Sequence, residues 1–335
     1  MKKTTILIIV LDILALMGFF LFYGPIKSIR TWWITTSMNT MSHQYFAYIF
    51  YSKDMIEETM SQNYSIPLTD TVNLDDIVID TSPKDSYENE YDEAILTRDP
   101  GNDDYKLLNI KVDGWDAFLV AIYDPSKVKV ISKEVLATGG PGERTIFMCE
   151  RTNSRVCINA GGFKPNAQDM ATDVPVGYII QDGEIIWASN ANAKGNLIGF
   201  TNDNKLVLTK ATGAEALEMG IRDAVEFGPF LIINGKAMQS MGDGGFGSAP
   251  RTAIAQRKDG VVLFLVTNPK FYDGPTLDSV IKTLQKYGAY NAANLDGGSS
   301  STLVINNKII NTPRNSYGVH QTLGRSVVSA FALTK

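Results

Sequence analysis

From about Tyr105 onward the chain alternates short apolar runs with turn residues. Val130-Ile131 and the stretches 156–158, 178–180 and 261–266 are runs of strand type. Three pairs of runs are joined by two-residue turns: Asp182-Gly183 within 178–186, Asn234-Gly235 within 230–238, and Asn306-Asn307 within 303–310. These dipeptides tolerate the positive φ angles that tight hairpins need. Residues 202–205 and 258–260 mark two further turns. The pattern predicts a meander of antiparallel hairpins.

Two helical stretches interrupt it. Leu277, Val280, Ile281 and Leu284 recur at i, i+3, i+4 and i+7 and predict one apolar face. Gly274-Pro275 precedes this helix and Gly288 stops it. A weaker helix is predicted over 143–153. Each helix feeds a short strand that ends in a Gly-Gly turn, Asn159-Ala-Gly-Gly162 or Asn294-Leu-Asp-Gly-Gly298. The reading places both turns on one sheet edge, where ligands prefer to bind. The expected class is α+β: a curved, mostly antiparallel sheet system built of hairpins, with helices packed on it and an N-terminal transmembrane helix before it.

The N-terminus has a different pattern. Lys2 and Lys3 precede an apolar run over 6–23, interrupted by Asp12 and Gly18. About 18 residues are just enough to span a bilayer. With no small-x-small cleavage site before Gly24-Pro25, the run is expected to be an uncleaved signal anchor over 1–25. The C-terminal part is then extracytoplasmic. Trp32, Trp33, Tyr45, Phe46, Tyr48, Phe50 and Tyr51 follow. They fit either a segment lying on the membrane or a helix packed on the globular part. Residues 52–104 turn polar and acidic, and 26–104 reads as a membrane-proximal segment with a stalk. The globular domain is expected over 105–335.

A net charge of −5 argues against a partner as polyanionic as nucleic acid. Two Cys and two His leave no zinc-type spacing. Outside the cell Cys149 and Cys157 fit a disulfide, and two buried free thiols fit equally well. A serine hydrolase needs a His base near Ser299, Ser300 or Ser301. Only His43 and His320 exist, and no Gly-x-Ser-x-Gly elbow is present.

The candidate chemistry centres on Asp296. Gly297 and Gly298 beside it are expected to present backbone N–H groups to an anion, and Ser299, Ser300 and Ser301 to add hydroxyls. Asn159, Gly161 and Gly162 offer an amide and room for a ring, and Asn294 adds a second amide. Arg251 opens an apolar strand and Arg325 lies near the C-terminus; both suit phosphate. Glu226 is the chosen second carboxylate, with Asp223, Asp169, Asp173 and Asp243 as the others.

In order along the chain stand Asn159-Ala-Gly-Gly-Phe163, Gly228-Pro229, Arg251-Thr-Ala-Ile254, Asn294-Leu-Asp-Gly-Gly-Ser-Ser300 and Arg325. This set resembles the phosphodiester glycosidase family over roughly residues 105–335. Ser299 stands where some relatives have a third Gly. The N-terminal segment is similar to that of membrane-bound, exopolysaccharide-related bacterial members. The resemblance implies hydrolysis of sugar-1-phosphodiesters of the N-acetylglucosamine type at the C1–O bond. It implies a catalytic carboxylate near C1, for which Asp296 is taken, and a second one that the motifs do not locate, for which Glu226 is chosen. It also implies Asn159, Gly161, Gly162, Arg251, Asn294, Gly297, Gly298, Ser299, Ser300 and Arg325 around the substrate. The expected partner is a phosphorylated glycan in the cell envelope. No cofactor is required on this reading; Ca²⁺ or Mg²⁺ has chemistry to bind there but no ligand set of recognisable spacing. The competing readings are a phosphoglycan-binding module that does not cut, and a scaffold for polysaccharide export.

Overall fold

The computed structural model describes residues 3–40, 43–136, 141–165, 172–271 and 273–335. Chain contacts divide it into two units: Pro67–Met238 with Ala249–Lys335, and Met1–Ile66 with Gln239–Ser248.

Among the described residues the larger unit is α+β, with three antiparallel sheets of five or more strands around one core and two short two-stranded ribbons. A seven-stranded sheet runs in the order Lys236–Ala237, Phe230–Ile233, Ala289–Asn294, Thr252–Arg257, Val262–Thr267, Trp115–Ile122, Tyr105–Val112. One five-stranded sheet orders Glu184–Ala188, Tyr178–Gln181, Ile221–Glu226, Gly195–Thr201 and Leu206–Ala211. The other orders Lys308–Ile309, Leu303–Ile305, Val156–Asn159, Ser329–Leu333 and Val128–Ser132. Val120, Ile158, Ile179, Ile198, Ile254, Phe264 and Phe331 from all three sheets meet in the shared core. Phe200 and Phe331 pack edge to face at 6.2 Å.

The three predicted hairpins form, and their turn residues take positive φ: Asp182 47° and Gly183 80°, Asn234 53° and Gly235 77°, Asn306 48° and Asn307 58°. The meander expectation is corrected. Ala289–Asn294 lies between Phe230–Ile233 and Thr252–Arg257, so distant segments interleave. Local turn chemistry specifies hairpins but not which hairpin pairs with which.

Helix Leu277–Lys286 buries Leu277, Val280, Ile281 and Leu284, and the Thr276 hydroxyl caps it by accepting from Ser279 N–H. The weaker predicted helix is Thr145–Arg151, with Glu143–Arg144 a short strand before it. Cys149 on this helix is disulfide-bonded to Cys157 on the next strand.

Residues 67–104 are not a stalk. Ile77 and Ile95 are buried, Val78 N–H donates to Lys258 O at 2.8 Å, and Tyr123 Oη donates to Ile95 O at 3.0 Å. Asp92 of helix Glu90–Leu96 pairs with Arg257 at 2.7 Å, and Asp259 pairs with the same guanidinium at 3.0 Å. Acidic composition concealed a packed segment, because single Ile residues anchor it and its Asp binds a buried Arg.

The smaller unit contains helices Lys3–Tyr23, Lys27–Met38, Tyr45–Phe50 and Lys53–Gln62. Its ribbon pairs Tyr64–Ile66 with Gln239–Met241. The aromatic segment packs on itself: Phe22 stacks on Phe50 at 4.1 Å, and Trp33 Nε1 donates to Phe46 O at 3.0 Å. Among the described residues no helix is long and apolar enough to cross a membrane. The span expected over 1–25 is therefore not found as such. Its apolar run lies in helix Lys3–Tyr23, which carries Asp12 near its middle and exposes Ile8, Leu14 and Phe19.

If residues 67–104 belong to the folded unit, Asp92→Ala lowers unfolding free energy by about 2 kcal/mol, the cost of one buried hydrogen bond to a charged group. Urea denaturation checks this. The same change at Asp70, whose pair with Lys236 is exposed, shifts stability by less than about 0.5 kcal/mol.

Candidate functional site

Asp296 follows strand Ala289–Asn294, and four contacts fix its turn. Leu295 N–H donates to Thr252 O at 2.9 Å, Asp296 N–H to Ala160 O at 3.0 Å, and Gly298 N–H to Pro250 O at 2.8 Å. Asn159 Nδ2 donates to Asp296 O at 2.5 Å. The Asn159 Oδ1 accepts from Thr252 Oγ1 at 2.9 Å and from Thr302 N–H at 3.1 Å. Strands Val156–Asn159 and Ala289–Asn294 belong to different sheets, which corrects the single-edge expectation. Their ends nevertheless meet through this bonding.

The same segment reaches Glu226. Gly162 N–H donates to Glu226 O at 3.4 Å, two residues beyond the Ala160 carbonyl that holds Asp296. The chain around Asn159-Ala-Gly-Gly162 thus ties both candidate carboxylate positions. Gly161 and Gly162 are buried, and a Cβ at Gly162 would meet the Phe227 ring at 3.1 Å. They serve close packing here. Glu226 points its carboxylate over Gly177 and Gly195, where added Cβ atoms would lie 2.0 and 1.9 Å from its Oε2. Only glycine leaves that carboxylate its place. Burial raises the Glu226 pKa, opposed by a hydrogen bond from the Tyr178 backbone.

Burial also pushes Asp296 up to about 6, against the pull of the Arg325 guanidinium and the Gly297 N–H. Arg325 lies over the Phe163 ring at 4.8 Å. Burial lowers its pKa and the Asp296 charge opposes this. Among the described residues Arg325 has no hydrogen bond or ion pair. Asn294 Oδ1, Asp296 Oδ2 and the hydroxyls of Ser300, Ser301 and Thr302 are buried oxygens without a hydrogen-bond partner among the described residues. Such groups are costly to leave unmet. They crowd one turn, beside one half-buried cation. The hydroxyls and the cation suit an anion, and the two acceptor oxygens suit the hydroxyls of a polyol.

Several expected ligand contacts are corrected. The Gly298 N–H is spent on Pro250 O, and the Gly297 N–H faces the Asp296 carboxylate, so the glycine pair offers no open amide cradle. Asn159 is fully buried with both ends of its amide engaged; it positions the turn. Arg251 is buried and its Nε–H donates to Pro275 O at 3.1 Å. Asn294 Nδ2 donates to Gly228 O at 3.0 Å, leaving only its Oδ1 unmet. Ser299 stays partly exposed on the turn. Asp223 is buried against Arg222 and Lys129, with Val130 N–H donating to it at 3.2 Å. Asp243 belongs to the smaller unit, where it accepts from the Thr35 hydroxyl and the Gly245 N–H. Asp173 lies on strand Thr172–Pro175, and Asp169 lies outside the described residues. Thr302, Gly177 and Gly195 were missed. Thr302 was readable as the continuation of the hydroxyl run, whereas nothing local marks the two glycines. Among the described residues no group of three or more His, Cys, Asp or Glu comes together as a cation ligand set.

The model of the phosphodiester glycosidase family matches residues 152–334, more than half of the chain. The chain belongs to the phosphodiester glycosidase family. All the carboxylates, arginines and turns just described fall inside that match. A prophage-derived uncharacterized protein of Bacillus subtilis, YomE, is 28% identical over 178 residues. That alignment covers 50% of this chain and only 27% of the relative. Among solved structures, the zebrafish N-acetylglucosamine-1-phosphodiester α-N-acetylglucosaminidase catalytic domain, auto-inhibited by its pro-peptide, is similar in fold. Its TM-score is 0.56 at 20% identity, covering 69% of this chain and 82% of that one. A putative exported protein of Burkholderia pseudomallei gives a TM-score of 0.50 at 14% identity, with 66% and 74% covered.

The raised Asp296 pKa makes a stability prediction for this phosphodiester glycosidase-family chain. Between its ordinary value of about 4 and about 6 the folded state holds a proton that the unfolded state has released. Stability therefore falls as pH rises through that window, by at most roughly 3 kcal/mol. Denaturation midpoints measured from pH 4 to 7 check it, and Asp296→Asn flattens the slope.

Proposed function

We propose that this chain hydrolyses a sugar-1-phosphodiester. The observation that carries the reading is the half-buried Arg325 guanidinium, which lies over the Phe163 ring and makes no hydrogen bond or ion pair among the described residues, beside Asp296 and its row of unmet oxygens. Water adds at the anomeric carbon, the C1–O bond breaks, and its electron pair leaves with the phosphate monoester. That leaving group is already good, so charge stabilisation matters more than strong acid help. Arg325 neutralises it in a site of low polarity. Asp296, as carboxylate, supports the oxocarbenium-like transition state, and Glu226 takes the proton of the attacking water. Ser300, Ser301, Thr302 and the Asn294 Oδ1 meet the sugar and phosphate polar groups. Arg251 positions the loop before helix Leu277–Lys286.

The proposed sugar is N-acetylglucosamine, the group named in the zebrafish relative, and the proposed source is an envelope or exopolysaccharide glycan. The location we propose is extracytoplasmic, at the membrane. The apolar surface of helix Lys3–Tyr23 supports attachment to lipid, and the Cys149–Cys157 disulfide supports an oxidising compartment.

Incubation of the purified chain with N-acetylglucosamine-1-phosphodiesters, following free reducing sugar, tests the activity. Asp296→Asn is expected to abolish release while ligand still binds. Arg325→Ala is expected to lower kcat about 100-fold or more. Binding without release by the wild type would favour the non-cutting phosphoglycan module. The proposed reaction draws on no cofactor, so EDTA treatment is expected to leave the rate within about twofold of the untreated enzyme, since no metal supplies the charge stabilisation assigned to Arg325.

A further inference from the structure

The smaller unit holds a polar cavity of its own. Within that unit, helices Lys27–Met38 and Lys53–Gln62 are in contact. Lys27, Arg30 and Thr31 stand at i, i+3 and i+4 and share one face of the first helix. Glu58 and Gln62, at i and i+4, share a face of the second with Thr59. These two stripes line a cavity of about 150 Å³. Lys27 and Glu58 are exposed and Arg30 is half-buried, so a ligand reaches all three from solvent. Among the described residues the Lys27 and Arg30 side chains make no hydrogen bond or ion pair, with Glu58 or any other group. Burial raises the pKa of Tyr51, against the pull of Arg30, so that phenol is neutral and does not compensate the guanidinium. The Glu58 carboxylate accepts only from Gln62 Nε2, at 3.4 Å.

The cavity therefore presents two cations on one wall and a carboxylate on the other. A bare phosphate would satisfy the cations and be repelled by Glu58. A phosphate ester carrying a primary ammonium on a short link satisfies both walls, because the ammonium donates to the carboxylate. The place of the cavity in the chain points to the source of such a group. Lys27 and Arg30 follow the end of apolar helix Lys3–Tyr23 by four and seven residues. Phe22, near that end, stacks on Phe50 at 4.1 Å and meets Trp33 edge-on at 4.9 Å. The helix end is thus fixed to the helices that line the cavity. A helix whose apolar surface enters lipid ends at headgroup depth, where basic residues and amphipathic rings collect. Tyr23, Tyr45 and Tyr48 of the same unit are exposed. We propose that the cavity between helices Lys27–Met38 and Lys53–Gln62 binds a phosphoethanolamine group, its phosphate on Lys27 and Arg30 and its ammonium on Glu58, and that a phospholipid headgroup supplies it. This rests on the lipid attachment proposed above and names what that attachment recognises; it does not depend on the chemistry at Asp296.

The test floats the full chain with vesicles of phosphatidylcholine alone, or of phosphatidylcholine mixed with phosphatidylethanolamine or with phosphatidylglycerol. The trimethylammonium of phosphatidylcholine cannot donate to Glu58, and phosphatidylglycerol has no amine. Phosphatidylethanolamine is expected to tighten binding about tenfold over phosphatidylcholine alone, the worth of one charge-assisted pair. Arg30→Ala and the isosteric Glu58→Gln are each expected to bring that ratio close to one. A wild-type ratio near one overturns the site, as does a stronger effect of phosphatidylglycerol, which marks unspecific attraction to negative charge. A ratio that survives in Glu58→Gln also overturns it. If the chain floats with no vesicle, the lipid attachment fails, and the cavity is judged by phosphorus NMR of O-phosphoethanolamine added to the chain in dodecyl maltoside. Saturable line broadening that is lost in Arg30→Ala and Glu58→Gln upholds the site with a free phospho-amine as its ligand. No broadening, or equal broadening of inorganic phosphate, overturns it.

Discussion

One amide holds the site together. Asn159 ends a strand of one sheet, and its side chain bonds the Thr252 hydroxyl and the Asp296 carbonyl, from a strand of another sheet and the turn that leaves it, and the Thr302 amide, where the chain enters the neighbouring strand of Asn159's own sheet. The bonds to Thr252 and Thr302 are buried and the one to Asp296 partly so, where each is stronger and each loss is costlier than at the surface. The sheets can pack in many ways that satisfy their apolar faces. Only registers that bring Thr252, Asp296 and Thr302 to this amide satisfy its polar atoms. The carboxylate position is thus a consequence of how two sheets dock.

A second constraint works in the opposite sense. Asn159 is fully met, whereas the turn it anchors is left with unmet oxygens and an adjacent cation. The larger core supplies the stability against which this deficit is set. The same desolvation raises Asp296 and Glu226 and lowers Arg325, so each charged group is less comfortable alone than with a ligand of opposite sign.

Much of this was legible from residue types. Asp182-Gly183, Asn234-Gly235 and Asn306-Asn307 announced their hairpins because few other dipeptides accept those φ angles. Asp296 and Arg325 stood out because charged residues beside glycines at strand ends seldom serve packing alone. What sequence could not show was the direction of side chains. Arg251 and Arg325 look equally free on paper, but one lies under the Pro275 carbonyl and the other over the Phe163 ring. Gly177 and Gly195 look like ordinary turn residues until Glu226 is placed above them. Residues 67–104 misled through composition, since Asp92 reads as solvent-loving while its partner Arg257 is 165 positions away.

The seven-stranded sheet also bears on how the fold came to have its boundaries. The family match begins at residue 152, but Trp115–Ile122 and Tyr105–Val112 lie upstream of that point. They cover the outer side of strand Val262–Thr267, every residue of which is buried. A fragment cut to the matched region would turn that strand into a bare, six-residue apolar edge, an open template for cross-chain pairing. The upstream strands therefore cover an edge that the segment most recognisable as the family would leave open.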